Sequence, residues 1–184
     1  MKDAYSFDLD DNSAKVSYNK MFFSYLKTFK KLGLKAIPMA ADTGPIGGDL
    51  SHEFIILAET GESQIYSDKK IFEIDIDDYQ FTSTSMEKMR NDFSSYYAVT
   101  DNKFDKKEFD KKVSKQNQVI KKGIEVGHIF YFGDKYSKPL NCHVDSQEGK
   151  KTLIKMGSYG IGVSRLVGFF GAPGSEPAIL SLYF

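Results

Sequence analysis

Small residues precede an arginine near the end of the chain, in the run GIGVSR at 160–165. Glycine has no Cβ, so Gly160 and Gly162 would let a ligand come close to the backbone. The planar guanidinium of Arg165 can stack on a flat ring and pair with a phosphate. The same spacing also suits a glycine-rich turn that leads into a helix with a surface arginine. The residues alone leave both interpretations open.

Two titratable residues lie in the apolar run GIEVGHIFYF at 123–132, which predicts a strand. A glutamate in such a strand is costly unless something satisfies its charge, so Glu125 favours a functional role. His128 follows three residues later and would face the other side of a regular strand, because side chains alternate. A local twist could bring it back toward a ligand, and a hydrogen-bonded, half-buried histidine is the structural alternative.

Disulfide, metal and membrane chemistry find little support in the sequence. The single cysteine, Cys142, excludes an internal disulfide framework and a CxxC metal site. Its neighbour His143 would point to the opposite face of a strand, which makes the two a poor metal pair or catalytic dyad. No run reaches the roughly 20 apolar residues that span a bilayer, and residues 1–11 lack the apolar core of a signal peptide. We therefore expect a cytoplasmic protein.

The charge balance gives no argument for a nucleic-acid partner, because 25 basic and 25 acidic residues cancel. Lysines do cluster between residues 103 and 122. Such a run is more often a solvated helix face than a nucleic-acid site, and we favour the solvated face.

Periodicity predicts elements that suit an antiparallel sheet with a helix on one face. Residues 1–10 alternate loosely, as in a strand, and a helix with N-cap residues at 11–13 is expected to end at Gly33. Strands are expected at 34–41 and 52–58, with a glycine-rich turn at 43–49 between them. A hairpin is expected around 147–149. A small-residue turn at 157–165 would lead into a helix that is interrupted after Gly168.

Composition shifts near residue 60. The stretch 62–122 is first acidic, as in FEIDIDDYQF, and then lysine-rich with helical spacing from Phe104 to Ile120. We expect a small appended module that stands apart from the central sheet. A chain of 184 residues has room for one domain with such an insertion.

Four segments together resemble the bacterial-type prolyl-tRNA synthetases, which are class II aminoacyl-tRNA synthetases. They are MKDAYSF at 1–7, ADTGPIGGDLSHEF at 41–54, GIEVGHIFYFGDKYS at 123–137 and MGSYGIGVSRLVG at 156–168. They occur in the family's order and cover a large share of the chain. The first resembles the end of motif 2 and the last resembles motif 3, while 62–122 is similar to the shortened insert of some bacterial members.

The resemblance implies an α+β fold: part of the class II antiparallel β-sheet flanked by helices, with a small inserted module. The first part of the catalytic core would cover residues 1–61 and the shortened insertion 62–122. The second part of the core, with motif 3, would cover 123–168, and an atypical tail 169–184.

The function that the resemblance implies is that of a proline–tRNA ligase. Proline attacks the α-phosphate of ATP to give prolyl-adenylate and pyrophosphate, and the prolyl group then passes to tRNA(Pro). Arg165 and Glu125 would be the catalytic residues, with Glu125 helping to hold Mg²⁺ against the ATP phosphates. The residues implied in ATP binding are Glu125, His128, Gly160, Gly162 and Arg165.

The implied proline pocket is small and has aromatic walls. Its candidate residues are Tyr5, Phe130, Gly157 and Ser158. Core packing is a serious alternative for Phe130. The runs Gly47-Gly48-Asp49 and His52-Glu53 also match the family, and turn geometry or sheet packing would explain them as well as substrate contact.

Several parts of the homodimeric full-length family would lie outside this chain. They are motif 1 with its dimer contacts, the motif 2 arginine, the Thr-x-Glu loop that recognises proline's amine, and the anticodon-binding domain. Losing one donor that stabilises transition-state charge costs about 2.7–4 kcal/mol, so we expect this polypeptide alone to be inactive. The alternative is a non-catalytic ATP- or tRNA-binding remnant of a split or truncated gene. The insert is too short for a hydrolase of mischarged tRNA.

Overall fold

The computed structural model describes residues 1–41 and 50–170, and of residues 169 and 170 the backbone only. Its helices are α1 (Asp11–Lys31), α2 (Ser83–Ser94), α3 (Lys106–Lys112) and α4 (Val163–Phe170). Its strands are β1 (Lys2–Asp8), β2 (Ala36–Ala40), β3 (Leu50–Leu57), β4 (Ser63–Asp68), β5 (Ala98–Thr100), β6 (Gln118–Gly133), β7 (His143–Asp145), β8 (Lys151–Leu153) and β9 (Lys155–Ile161). The predicted turn at 43–49 and most of the predicted tail lie outside the described residues.

Helix α1 forms where the periodicity predicts it. The carboxylate of Asp10, one residue before the predicted N-cap run, accepts a hydrogen bond from the Ser13 amide at 2.8 Å. At the other end Gly33 has φ of 72°, the left-handed conformation that terminates helices and favours glycine. The predicted helix is confirmed, and both of its ends have a local cause in the sequence.

The main sheet has seven strands in the order β1-β9-β6-β3-β2-β5-β4. Every pairing is antiparallel except that of β2 with β5. The long strand β6 also pairs with β4 through residues 118–123, so that β6, β3, β2, β5 and β4 close into a ring. A sheet of this kind with helices packed on it confirms the predicted α+β class.

One face of the sheet is covered by α1. Phe22, Tyr25 and Phe29 pack their rings on Phe54 of β3, with centroids 5.3 to 5.8 Å apart. Gly127 of β6 lies under this layer, where an added Cβ would come within 3.3 Å of two of these rings. Each buried ring contributes about 1.5–3 kcal/mol by leaving water. The covered face therefore holds the sheet together and leaves the opposite face of β1, β9, β6 and β3 available.

The expectation that residues 62–122 stand apart from the central sheet is wrong. Strands β4 and β5 of this stretch are members of that sheet. The predicted lysine-rich helix is also too long, since α3 ends at Lys112 and Ile120 already belongs to β6. The apolar spacing predicted one long helix on its own. In the structure Phe109 and Val113 pack in a small cluster with Tyr97 and Val99 of the neighbouring segment.

Two predictions near the C-terminal end have different outcomes. The hairpin is confirmed, as β7 and β8 pair antiparallel with His143 opposite Leu153. The small-residue turn at 157–165 is wrong in its first half, because residues 157–161 belong to β9 between β1 and β6. Close packing in the sheet accounts for the small residue at Gly157, where an added Cβ would lie 2.1 Å from the Tyr159 hydroxyl. Among the described residues, no helix is long and apolar enough to cross a membrane.

Candidate functional site

The open face of the sheet carries two rows of side chains across four strands. Directly opposed residues of neighbouring antiparallel strands lie on the same face. One row contains Ser51, Phe130, Ser158 and Tyr5, and the next contains Glu53, His128, Gly160 and Asp3. The register alone thus brings together residues that are up to 157 positions apart, as Asp3 and Gly160 are.

A cavity of about 300 Å³ lies over these rows. Its walls are formed by Met1, Asp3, Glu125, Val126, Gly127, His128, Phe130, Ser158, Gly160, Gly162, Ser164 and Arg165. Every residue predicted to contact ATP is among them. Of the predicted proline-binding residues, Phe130 and Ser158 line the cavity, whereas Tyr5 and Gly157 do not.

A β-bulge brings Glu125 and His128 to the same side of β6. Phe54 of β3 is opposite Gly127, but the next residue, Ile55, is opposite Glu125, so Val126 is an extra residue in β6. The alternation of side chains shifts by one position at this point. As a result Nδ1 of His128 lies 3.6 Å from Oε1 of Glu125. The bulge is therefore a local irregularity of the kind that would bring His128 back to the side of Glu125.

Arg165 reaches back from the first turn of α4 to Glu125. Its Nη1 donates a hydrogen bond to the Glu125 carbonyl at 3.0 Å and lies 3.2 Å from the carboxylate. The Arg165 side chain is still half exposed toward the cavity. A Cβ at Gly162 would lie 3.2 Å from Cδ of Arg165, so the glycine leaves space for this side chain to fold back.

The two carboxylates of the site differ in their electrostatics. Interaction with the His128 ring, and then with Arg165, holds the pKa of Glu125 below its ordinary value despite partial burial. Burial raises the pKa of Glu53, and the charge of Glu125 adds to that effect. Glu125 is therefore ionised at neutral pH and is the carboxylate suited to a cation or to Arg165.

His128 is held on several sides. Its Nε2 lies 2.7 Å from Oγ of Ser51, and its ring stacks on Phe130 with centroids 3.8 Å apart. Its Nδ1 also lies 3.9 Å from Oε1 of Glu53. No such role is predicted for Ser51 from the sequence, because Ser51, His52 and Glu53 are three consecutive polar residues and no alternation marks which of them share a face.

His52, which lies between these two polar residues of β3, points to the covered face. Its Nδ1 lies 2.7 Å from the Tyr18 hydroxyl and its Nε2 lies 3.3 Å from Oγ of Ser94. Burial lowers the pKa of His52 to about 3, and the positive charges of Arg90 and Lys103 add to that effect. His52 is therefore a neutral structural histidine, and sheet packing accounts for it.

The predicted proline-binding residues fall into two groups. Tyr5, Ser158 and Phe130 lie in one row, and Tyr5 is 61% exposed. Gly157 belongs to the covered face, where an added Cβ would lie 2.1 Å from the Tyr159 hydroxyl. Close packing thus explains the glycine at 157. Only the backbone of Gly157 lies near the row of Tyr5, Ser158 and Phe130. Contact of these residues with proline stays a prediction.

Metal-ligating side chains are sparse in the described part of the chain. It contains no group of three or more histidine, cysteine, aspartate or glutamate residues arranged to hold a metal. Cys142 is exposed, and Nδ1 of His143 lies 3.0 Å from the carbonyl of Asn141. A magnesium ion at Glu125 would have to take most of its oxygen ligands from a bound substrate.

Comparison with known proteins shows which proteins the chain is similar to in sequence. No protein-family model matches the chain. Over 168 residues it is 66% identical to a proline–tRNA ligase of Pelagibacter ubique, and over 170 residues it is 56% identical to one of Bartonella henselae. A proline–tRNA ligase of Brucella anthropi is 55% identical over 170 residues.

Each of these alignments covers 91% of the chain and 38% of the relative. The chain is therefore a homologue of aminoacyl-tRNA synthetases. Within that class its similarity is to proline–tRNA ligases, and the chain spans 38% of the length of these relatives.

Proposed function

We propose that the chain forms the central part of the class II catalytic domain of a proline–tRNA ligase, and that the cavity on the open face is part of its ATP site. The observation that carries this proposal is the convergence of Glu125, His128 and Arg165 on one cavity. The identity of 66% with a proline–tRNA ligase supplies the reaction. Proline, ATP and tRNA(Pro) are accordingly the proposed ligands of the complete enzyme.

The proposed reaction needs positioning and charge stabilisation. An oxygen of the proline carboxylate attacks the α-phosphorus of ATP, the bond to the bridging oxygen breaks, and pyrophosphate leaves. Negative charge on the phosphate oxygens must then be balanced. Arg165 offers a fixed positive charge at the cavity wall, and its flat guanidinium also suits stacking on adenine. The anchoring of Arg165 on Glu125 reduces the rearrangement that binding requires.

Magnesium fits the proposed site in one way. Glu125 is ionised and borders the cavity, so its carboxylate would be the protein's ligand. Mg²⁺ is commonly bound through one or two carboxylates together with substrate phosphates, and the ion would supply additional positive charge to those phosphates. Glu125 would then be shared between the ion and Arg165.

The small residues on β9 suit a compact substrate beside the nucleotide. Ser158 and Gly160 leave a shallow floor between the Phe130 ring and the Tyr5 ring, which stand on the neighbouring strands in the same face. We propose that the pyrrolidine ring of proline lies on this floor. The apolar ring of proline has little to hydrogen-bond, so shape and aromatic walls would provide most of its recognition.

A thermal-shift titration tests this proposal. Ligand present at 100 times its Kd raises the free energy of unfolding by about 2.7 kcal/mol, so ATP with Mg²⁺ or a non-hydrolysable prolyl-adenylate analogue should raise the melting temperature. Arg165→Ala should abolish most of the shift. Lys150→Ala, in the exposed turn of the β7–β8 hairpin, should keep it. No shift of the unmodified chain with either ligand would overturn the proposal.

A second assay separates catalysis from binding. Proline-dependent exchange of pyrophosphate into ATP reports formation of the adenylate. Binding of the analogue without any exchange would support the non-catalytic alternative for this polypeptide. Exchange at the rate of a complete synthetase would contradict the expectation that it is inactive alone.

A further inference from the structure

The β-bulge of β6 presents two successive backbone carbonyls to the segment that follows β9. In a regular antiparallel strand, successive carbonyls point to alternate sides of the strand. Here the carbonyl of Val126 accepts a hydrogen bond from the Gly162 amide at 2.9 Å, and the carbonyl of Glu125 accepts one from Nη1 of Arg165 at 3.0 Å. The bulge therefore provides a second acceptor at the point where the chain leaves the sheet and enters α4.

The first turn of α4 is held on both sides of Arg165. The amide of Leu166 donates a hydrogen bond to the carbonyl of Gly162 at 3.1 Å, which closes the turn. Leu166 and Val126 are buried in the same hydrophobic cluster. The backbone of this turn is thus attached to the bulge through Gly162 and to the core through Leu166. The Arg165 side chain reaches the second carbonyl by folding back over Gly162.

The absence of a side chain at Gly162 leaves room for that path. A Cβ at this position would lie 3.2 Å from Cδ of Arg165 and 3.4 Å from its Cγ, so the arginine would have to move. Gly168 in the same helix has no atom within 4 Å of an added Cβ. A methyl group added at Gly162 should therefore displace Arg165, whereas one added at Gly168 should not.

We propose that Val126 and Gly162 are positioning residues for Arg165. The extra residue Val126 creates the bulge whose second carbonyl anchors the guanidinium, and Gly162 holds the start of α4 against the bulge and leaves the arginine its path. Gly162 then acts on the ligand through Arg165. The consequence for ligand binding rests on the proposed function, but the anchoring of the arginine does not.

Nitrogen-15 NMR of the arginine side chains tests this anchoring, because the chain has two arginines, Arg90 and Arg165. Arg165→Lys assigns the signals by their loss. Without ligand, the Nη hydrogens of Arg165 should exchange with water about 3- to 10-fold more slowly in the unmodified chain than in Gly162→Ala, where the hydrogen bond is lost. Gly168→Ala should keep the slow exchange. Equal exchange in Gly162→Ala and the unmodified chain would overturn the proposal.

Two further variants separate the bulge carbonyl from the Glu125 carboxylate, which lies 3.2 Å from Nη1 of Arg165. Glu125→Ala removes the carboxylate and keeps the carbonyl, so Arg165 should retain most of its slow exchange. Deletion of Val126 makes the strand regular and turns the Glu125 carbonyl away from Arg165, so a folded deletion variant should lose the slow exchange. Loss of slow exchange in Glu125→Ala, or its retention in the folded deletion variant, would contradict the role of the bulge. If the deletion variant does not fold, the comparison of Glu125→Ala with Gly162→Ala decides.

Calorimetry with the prolyl-adenylate analogue measures the functional consequence. Gly162→Ala should weaken binding of the analogue by about 3- to 10-fold, because Arg165 is no longer held in place, and Gly168→Ala should leave it unchanged. Unchanged affinity in Gly162→Ala would contradict the positioning role. If the unmodified chain binds no analogue but shows the slow exchange of Arg165, the proposed function fails and the anchoring of the arginine stands.

Discussion

The stability of the fold should depend on the protonation of His52. This histidine lies between α1 and the sheet, and burial lowers its pKa to about 3 from the ordinary value of 6.5. In the unfolded chain it takes up a proton as the pH falls through about 6.5, whereas in the folded chain it stays neutral. The unfolded state therefore binds more protons, and the free energy of unfolding falls as the pH falls below about 6.5.

The size of the effect follows from the separation of the two pKa values. Each pH unit between them changes the free energy of unfolding by about 1.4 kcal/mol, so at about pH 5 the loss is about 2 kcal/mol. Above about pH 6.5 His52 is neutral in both the folded and the unfolded chain, so none of this stability is lost there. Replacement by glutamine keeps a donor and an acceptor for Tyr18 and Ser94 but removes the titration.

Urea unfolding at about pH 8 and about pH 5, followed by circular dichroism, measures the effect. His52→Gln should be less stable than the unmodified chain at the higher pH, because its packing is imperfect. Its loss of stability between the two pH values should be smaller by about 2 kcal/mol. His143→Gln changes an exposed histidine and should keep the full loss. The reasoning is refuted if His52→Gln loses as much stability as the unmodified chain.

Three further substitutions have defined outcomes. Gly61→Ala places a Cβ 2.3 Å from the carbonyl oxygen of Gly123, so it should lower the free energy of unfolding by about 1–3 kcal/mol in urea denaturation. Phe22→Ala empties a fully buried position of α1 and should cost about 3–5 kcal/mol, seen as a lower melting temperature. A Cβ added at Gly160 has its first neighbour at 3.5 Å, an ordinary contact, so we expect Gly160→Val to fold. Because the valine side chain occupies the cavity, it should weaken binding of the prolyl-adenylate analogue by about tenfold or more in calorimetry.

Matched changes make these outcomes decisive. Gly168→Ala has no atom within 4 Å of the new Cβ, so it should not destabilise the fold. Equal effects of Gly61→Ala and Gly168→Ala would contradict the role of close contact at Gly61. A Gly160→Val variant with unchanged affinity would show that the ligand does not use this part of the cavity.

The sequence predicted the parts of the fold whose signals are local. Helix α1 and the β7–β8 hairpin carry their own periodicity and end signals, and both are present. The length of α3 was overestimated because its apolar spacing continues into β6, where the same residues pair with β4. Periodicity describes which residues are buried but not which partner buries them, and that partner is remote in sequence.

In the candidate site, too, the residue types could be predicted from the sequence, whereas their arrangement in space could not. Glu125 and Arg165 were identified from the residue types and the resemblance, but their separation along the chain gave no distance between them. The side of β6 on which His128 lies depends on the bulge at Val126, and no residue type in the sequence indicates that bulge. The role of Ser51 depends on the register of β3 against β6, which is set by the whole sheet.

Strand β6 runs without interruption from the lysine-rich stretch into the cavity wall. Its first residues pair with β4 and its later residues pair with β3 and β9. A transplant of residues 62–117 from a relative would therefore need a matching β4, because otherwise the first third of β6 would lose its partner. The exchange of this stretch between relatives is limited by the backbone hydrogen bonds between β4 and β6. A chimera joined at residue 118 should fold only if these two strands pair in the same register.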